Sequence, residues 1–183
     1  MDARARLVAL LRSRSYRTGD FVLASGRRST FYIDCRRTTM HAEGLHLIGA
    51  LGLAAIRTLG WRADAVGGLT LGADPVAYAI AAATAEHPPA IHGFTVRKAP
   101  KTHGTAQRIE GCFEPGGHVV VVEDVITTGG SALDAAEAVR SAGGVVSGVL
   151  AVVDRGEGGR AALEAAGLAV HALVHARDLG GGS

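Results

Sequence analysis

The run from Val119 to Ser131, VVVVEDVITTGGS, places two acids and a turn of hydroxyl and glycine residues directly behind an apolar stretch. Carboxylates only accept hydrogen bonds, so Glu123 and Asp124 suit adjacent hydroxyls such as those of a ribose, and they repel a phosphate. The turn Thr127, Thr128, Gly129, Gly130 and Ser131 suits the phosphate instead. Unpaired backbone N–H groups and the positive dipole end of a helix starting there would face it. Acids for a diol beside amides for a phosphate describe a cradle for a phosphorylated sugar. The same spacing also describes a plain α/β turn whose Thr and Ser cap a helix and whose acids are solvated, and spacing alone leaves both readings open.

Two other groups carry charge in patterns worth chemistry. RKAPKTHGTAQRIEG, Arg97 to Gly111, gathers Arg97, Lys98, Lys101, His103 and Arg108 against a single acid, Glu110. That charge suits an anionic ligand, although a basic run in a loop is most often a solvated surface. VVDRGEGGR ends an apolar run with Asp154 and Arg155, and a guanidinium fork matches a carboxylate through two parallel donors. The plain alternative is an ion pair at a strand end. Gly67 and Gly72 are spaced like P-loop glycines, but Ala73 and Asp74 stand where Lys and Ser or Thr are required, which disfavours a nucleoside triphosphatase. Asp74 and Pro75 read instead as the N-cap and first residue of a helix. Cys35 and Cys112 have no metal-ligand spacing, and the eight histidines form no HExxH pair.

Positioning such groups requires an α/β scaffold. Val119 to Val122 form a β-branched run without polar alternation, as in a strand covered on both faces of a parallel sheet. The acids would then emerge at its carboxyl end, where open α/β sheets collect ligands. Ala132, Ala135, Ala136 and Val139 repeat at helical spacing, and Val145 to Val153 complete a βαβ unit. Upstream, Leu7, Leu10 and Leu11 mark an amphipathic helix, and Phe21 to Leu23 and Phe31 to Ile33 flank SGRRS as a hairpin or lid. Helices are expected from Ile48 to Leu59, Val76 to Ala85 and Arg160 to Ala166, and strands at Ala63 to Val66, Ile91 to Val96 and Leu168 to Val174. Arg97 to Glu110 shows no sustained periodicity and is expected to be mobile. The pattern predicts an α/β fold with a mostly parallel sheet flanked by helices.

At 183 residues the chain is one domain's worth, 1–183, with no internal repeat or linker. Its apolar share of 48% is that of a globular protein. No apolar stretch reaches the ~18 residues of a membrane span, and the start lacks the apolar core and cleavage site of a leader. A formal charge of +2 is too small for nucleic-acid binding through bulk electrostatics. The expectation is a cytoplasmic enzyme with reduced thiols, no membrane and no nucleic-acid partner.

VVVVEDVITTGGS closely resembles the phosphoribosyl pyrophosphate (PRPP) signature of the type I phosphoribosyltransferases. That resemblance implies the corresponding fold, with the N-terminal segment of about 1–40 forming a small hood over the base. It implies that Glu123 and Asp124 hold the ribose 2- and 3-hydroxyls, and that the stretch through Val125, Ile126, Thr127, Thr128, Gly129, Gly130 and Ser131 wraps the 5-phosphate. The order RKxxKxHG resembles the catalytic loop of the orotate phosphoribosyltransferases, the pyrimidine branch of that family. Arg97, Lys98, Lys101 and His103 would contact PRPP, with the loop closing over a neighbouring subunit's site in a homodimer. Lys101, His103 and Asp124 would then be catalytic. Arg155 falls where those enzymes bind the carboxylate of the base, with Thr127 as a second orotate contact. Mg²⁺ is the implied cofactor, held mainly by PRPP without a dedicated protein ligand set. The chain departs from the pattern at Ala24 and Gly72, where many of these enzymes carry Lys. The alternatives are a phosphoribosyltransferase for another base and a non-catalytic PRPP-sensing regulator that binds nucleic acid.

Overall fold

The computed structural model describes residues 2–22, 26, 28–99 and 108–180. Lys101 and His103, together with Ala24 on the N-terminal side, lie outside these.

Asp2 caps α1 (Ala3–Arg14) by accepting from the Ala5 N–H at 2.7 Å, and Leu7 and Leu11 are fully buried on one face. β1 (Tyr16–Val22) and β2 (Arg28–Ile33) form an antiparallel hairpin, longer than the two expected fragments. A single helical turn, α2 (Arg36–Thr39), leads into α3 (Ala42–Thr58). Then come β3 (Ala65–Leu69), α4 (Ala73–Thr84), β4 (His92–Val96), β5 (Ile109–Gly111), β6 (His118–Ile126), α5 (Gly130–Ser141), β7 (Val145–Asp154), α6 (Gly159–Ala165) and β8 (Val170–His175).

The main sheet has the order β5-β4-β3-β6-β7-β8, parallel throughout except for β5. The valine run explains its centre. Val120 and Val122 pack into a core with α1, α3 and α4, while Val119 and Val121 face the opposite core with α5 and α6. All four are at most 1% exposed, so β6 is covered on both faces, as the absence of polar alternation predicts. From β3 the chain moves outward to β4 and then returns to β6 on the other side. The crevice beyond β3 and β6 is therefore the switch point at which open α/β sheets bind ligands.

Three expectations change. β6 does not end at Val122; its pairing with β7 continues to Ile126, opposite Asp154, because the hydrophobic positions Val125 and Ile126 extend the ladder beyond the acids. Gly67 lies inside β3 rather than in a turn. Asp74 is not the N-cap of α4. The helix starts one residue earlier, and the Asp74 carboxylate instead accepts from Thr70 Oγ1 at 2.7 Å and from Thr95 Oγ1, tying the loop after β3 to β4.

The expected mobile segment Arg97 to Glu110 lies largely outside the described residues, and its described ends are tied to the sheet. The Arg97 N–H donates to the Arg108 carbonyl at 2.8 Å, and β5 pairs antiparallel with β4. Arg108 adds a two-point grip on Asp134 of α5, at 2.9 and 2.7 Å.

Candidate active site

The carboxyl ends of β3, β6 and β7 and the end of the N-terminal hairpin enclose a cavity of about 830 Å³. Four segments line it. Tyr32 to Arg36 come from the hairpin and the turn after it, Leu69 to Gly72 from the loop after β3, Glu123 to Ser131 from β6 and its turn, and Arg155 and Glu157 from the turn after β7; Lys98 reaches in from beyond β4. Within the third segment, Glu123, Asp124, Val125, Thr127, Thr128 and Ser131 contribute directly. Residues expected from distant parts of the sequence thus meet in one space.

Glu123 is 7% exposed and Asp124 partly buried. Burial raises both carboxyl pKa values, and the neighbouring Asp124 charge pushes Glu123 well above its ordinary range. The side-chain contact between the two favours the protonated form of Glu123 and the ionised form of Asp124. Asp124 also accepts from the Val125 N–H at 2.8 Å. A sugar diol can replace the contact between the acids, since both then accept from hydroxyls.

Behind the acids, the turn reaches α5 through Gly129, whose φ of 84° is left-handed and suits glycine. The first-turn amides of α5 have no carbonyl upstream within the helix, so they and the dipole face the cavity end as an anion seat. The Thr127 carbonyl is engaged by the Gly159 N–H at 2.9 Å, which fixes the turn against α6.

Gly72, where the resemblance leads to an expected lysine, lies against Asp124. A Cβ at this position would lie 2.6 Å from Asp124 Oδ1, so the acid occupies the space of a side chain. Cations come from elsewhere. Lys98 lines the cavity, and so does Arg36, whose Nε donates to Asp34 at 2.9 Å. Sequence reasoning passed over Arg36 and Asp34. The available signal was the cluster Asp34, Arg36 and Arg37 directly after a strand, where charges gather at a sheet's ligand end.

Arg155 is the most enclosed charge of the site, with its side chain 4% exposed. Its Nη2 donates to Ser29 Oγ at 2.9 Å and to the Phe31 carbonyl at 3.1 Å, its Nε lies 2.6 Å from Glu157 Oε1, and its Cζ stands 4.6 Å from the Phe31 ring centroid. The guanidinium therefore joins the hairpin to the sheet, which gives the N-terminal segment its place over the cavity. Asp154 holds the turn behind it, accepting from the Gly156 N–H at 2.9 Å and from Arg160 Nε at 3.0 Å.

Four described expected residues stand apart from the lining, Arg97, Ile126, Gly129 and Gly130. Arg97 pairs with Glu110 at 3.6 Å and lines a neighbouring cavity of about 420 Å³ with Lys98, Thr70 and Thr95. The Ile126 side chain is 1% exposed in the α5–α6 core and its carbonyl accepts from the Arg155 N–H at 3.0 Å. An apolar residue ending the ladder packs inward, so its place in the motif is structural. Burial, reinforced by nearby acids, also raises the Cys35 pKa and keeps it a thiol. Among the described residues no three His, Cys, Asp or Glu side chains group to hold a metal, and no helix is long and apolar enough to cross a membrane.

No family model matches the chain. Curated relatives do. The chain is 44% identical over 180 residues to the orotate phosphoribosyltransferase of Rhodopirellula baltica, covering 96% of this chain and 93% of the relative. It is 45% identical over 182 residues to that of Aquifex aeolicus, covering 98% of each. Among solved structures, that of the Mycobacterium tuberculosis orotate phosphoribosyltransferase in complex with PRPP superposes with a TM-score of 0.81 at 43% identity, over 98% of this chain and 99% of the other. The superposition over nearly the whole length gives the chain the fold of a phosphoribosyltransferase. Identity at this level over nearly the whole length narrows the class: the chain belongs to the orotate phosphoribosyltransferase family.

Proposed function

We propose that this chain, acting as one domain over residues 1–183, transfers the 5-phosphoribosyl group of PRPP to orotate, giving orotidine 5-phosphate and pyrophosphate in UMP biosynthesis. The observation that carries this reading is the single cavity in which an acid pair, an anion seat and a buried guanidinium face one another. Glu123 and Asp124 accept from the ribose hydroxyls. The turn from Thr127 to Ser131 takes the 5-phosphate, with Gly129 and Gly130 supplying its backbone approach. Arg155 takes the carboxylate of the base, with Thr127 as a second contact.

As the bond from C1 of the ribose to pyrophosphate breaks, positive charge grows on the sugar and negative charge on the leaving group. The new bond forms from C1 to a ring nitrogen of orotate, whose proton leaves with the pyrophosphate. Asp124 faces the sugar and offsets its charge. Lys98 and Arg36 stand on the cavity wall to meet the pyrophosphate, with Arg97 in the adjoining cavity, and Lys101 and His103 are assigned there by their place in the basic segment. Placed charges of this kind stabilise the transition state more than the ground state.

Mg²⁺ would be held mainly by the diphosphate, with Asp124 able to offer one carboxylate, since the ion takes one or two carboxylates alongside substrate phosphates. When bound, Mg²⁺ neutralises charge on the pyrophosphate. The enzyme is read as a cytoplasmic homodimer in which the basic segment of one subunit serves the other's site. Incubating the protein with Mg²⁺, PRPP and either adenine, uracil or orotate tests the base assignment. Product is expected from orotate alone, and faster product from adenine or uracil would overturn it.

A further inference from the structure

Arg155 already has partners before any base arrives, although its Nε, ion-paired with Glu157, makes no aligned hydrogen bond. A guanidinium this enclosed needs a counter-charge, and Glu157, its side chain 15% exposed, supplies one at 2.6 Å from Nε. Nη2 is occupied by Ser29 and Phe31. Two-point recognition of a carboxylate uses either Nε with Nη2 or Nη1 with Nη2, and both pairs include atoms that are engaged here. Two of those partners, the hydroxyl of Ser29 and the carbonyl of Phe31, belong to the hairpin and help hold it over the cavity. The third is a carboxylate on a turn between Gly156 and Gly158, where open space surrounds both glycines. Glu157 also lines the cavity itself.

We propose that Glu157 is a displaceable internal counter-ion that makes Arg155 selective for a carboxylated base. This rests on the reading of orotate as the base. An incoming carboxylate exchanges with Glu157 at Nε, charge for charge, so Arg155 never stands buried and unpaired. A neutral base cannot make that exchange, and it leaves the Arg155–Glu157 pair closed. The same pair keeps the phosphates of PRPP and free pyrophosphate from settling on Arg155, because they must compete with a carboxylate already in place. Glu157 therefore lowers affinity for orotate in return for discrimination against other anions.

The test uses the full chain with Glu157→Gln and Glu157→Asp, the first removing the charge and the second withdrawing it from Nε. Both are expected to lower KM for orotate, roughly tenfold for E157Q, equivalent to about 1.4 kcal/mol. Inorganic pyrophosphate is expected to become a stronger inhibitor competitive with orotate. A residue that merely supports the fold would raise KM when replaced, so the sign of the change separates the two roles. An unchanged or raised KM in both variants, each shown folded by its unfolding transition, overturns the proposal. If the wild-type protein itself does not turn over orotate, the assignment of the base fails instead, and the two failures are distinguishable.

Discussion

Replacing Glu123 by Gln separates the ligand role of this side chain from its effect on the fold. Glu123 is 7% exposed on β6 beside Asp124, and burial and that neighbouring charge hold its carboxyl well above the usual range. In the unfolded chain the same group titrates near its ordinary value of 4.5. A group whose folded pKa is raised binds its proton more tightly when folded. The stability it contributes is fully present below the unfolded pKa and is lost as pH rises through the folded one. Above pH ~4.5, each pH unit up to the folded pKa removes about 1.4 kcal/mol, or roughly 3–5 °C of Tm for a chain of this length.

Gln has nearly the same shape, does not ionise, and can still donate to Asp124. E123Q is therefore expected to match the wild type near pH 4.5 and to exceed its stability at neutral pH by an increment that grows with pH. Its affinity for PRPP is expected to fall, because a charged acceptor for the ribose is lost. Urea unfolding of both proteins from pH 4.5 to 8, followed by the fluorescence of Trp61, the only tryptophan of the chain, reads the increment directly. A stability difference that is independent of pH, or that grows towards acid, would refute the raised pKa of Glu123.

Other expectations follow from the same geometry. Gly129→Ala should destabilise the fold by about 1–3 kcal/mol, because it forces a side chain into left-handed backbone and sets its Cβ 2.9 Å from the Gly159 carbonyl; it should also raise KM for PRPP, and an unchanged unfolding midpoint contradicts the turn's role. Arg108→Ala should cost about 0.5–1 kcal/mol, since its paired contact with Asp134 is geometrically good but the side chains are 27% and 43% exposed. A double-mutant cycle with Asp134→Ala measures that coupling, and a coupling indistinguishable from zero rules out the pair as an anchor of the segment after β4.

The sequence makes most of the scaffold legible for a physical reason. Apolar runs of period-free valine mark strands buried on both faces, and Val119 to Val122 behave as that pattern requires. The family resemblance joined Glu123, Asp124, the turn to Ser131 and Arg155 into one expected site, and Glu123, Asp124, Thr127, Thr128, Ser131 and Arg155 line one cavity. What was not legible depends on tertiary proximity. Nothing local to Asp74 says that Thr95 lies beside it, so capping chemistry was the natural reading of Asp74–Pro75. That Asp124 lies 2.6 Å from the Cβ position of Gly72 is a relation between β3 and β6 that no local spacing encodes. Glu157 reads as an ordinary acid in a glycine-rich turn until the guanidinium of Arg155 is seen against it. The cluster Asp34, Arg36 and Arg37 is visible in the sequence, but only the tertiary fold shows that Arg36 lines the cavity.

The central claim is that one cavity binds PRPP and orotate together and joins them. Mixing the protein with Mg²⁺, PRPP and orotate and following the ultraviolet absorbance of orotate tests it most directly. The account predicts steady loss of orotate with stoichiometric release of pyrophosphate, and little or no loss when Arg155→Ala replaces the wild type. A folded wild-type protein that leaves orotate untouched in the presence of PRPP and Mg²⁺ would contradict it.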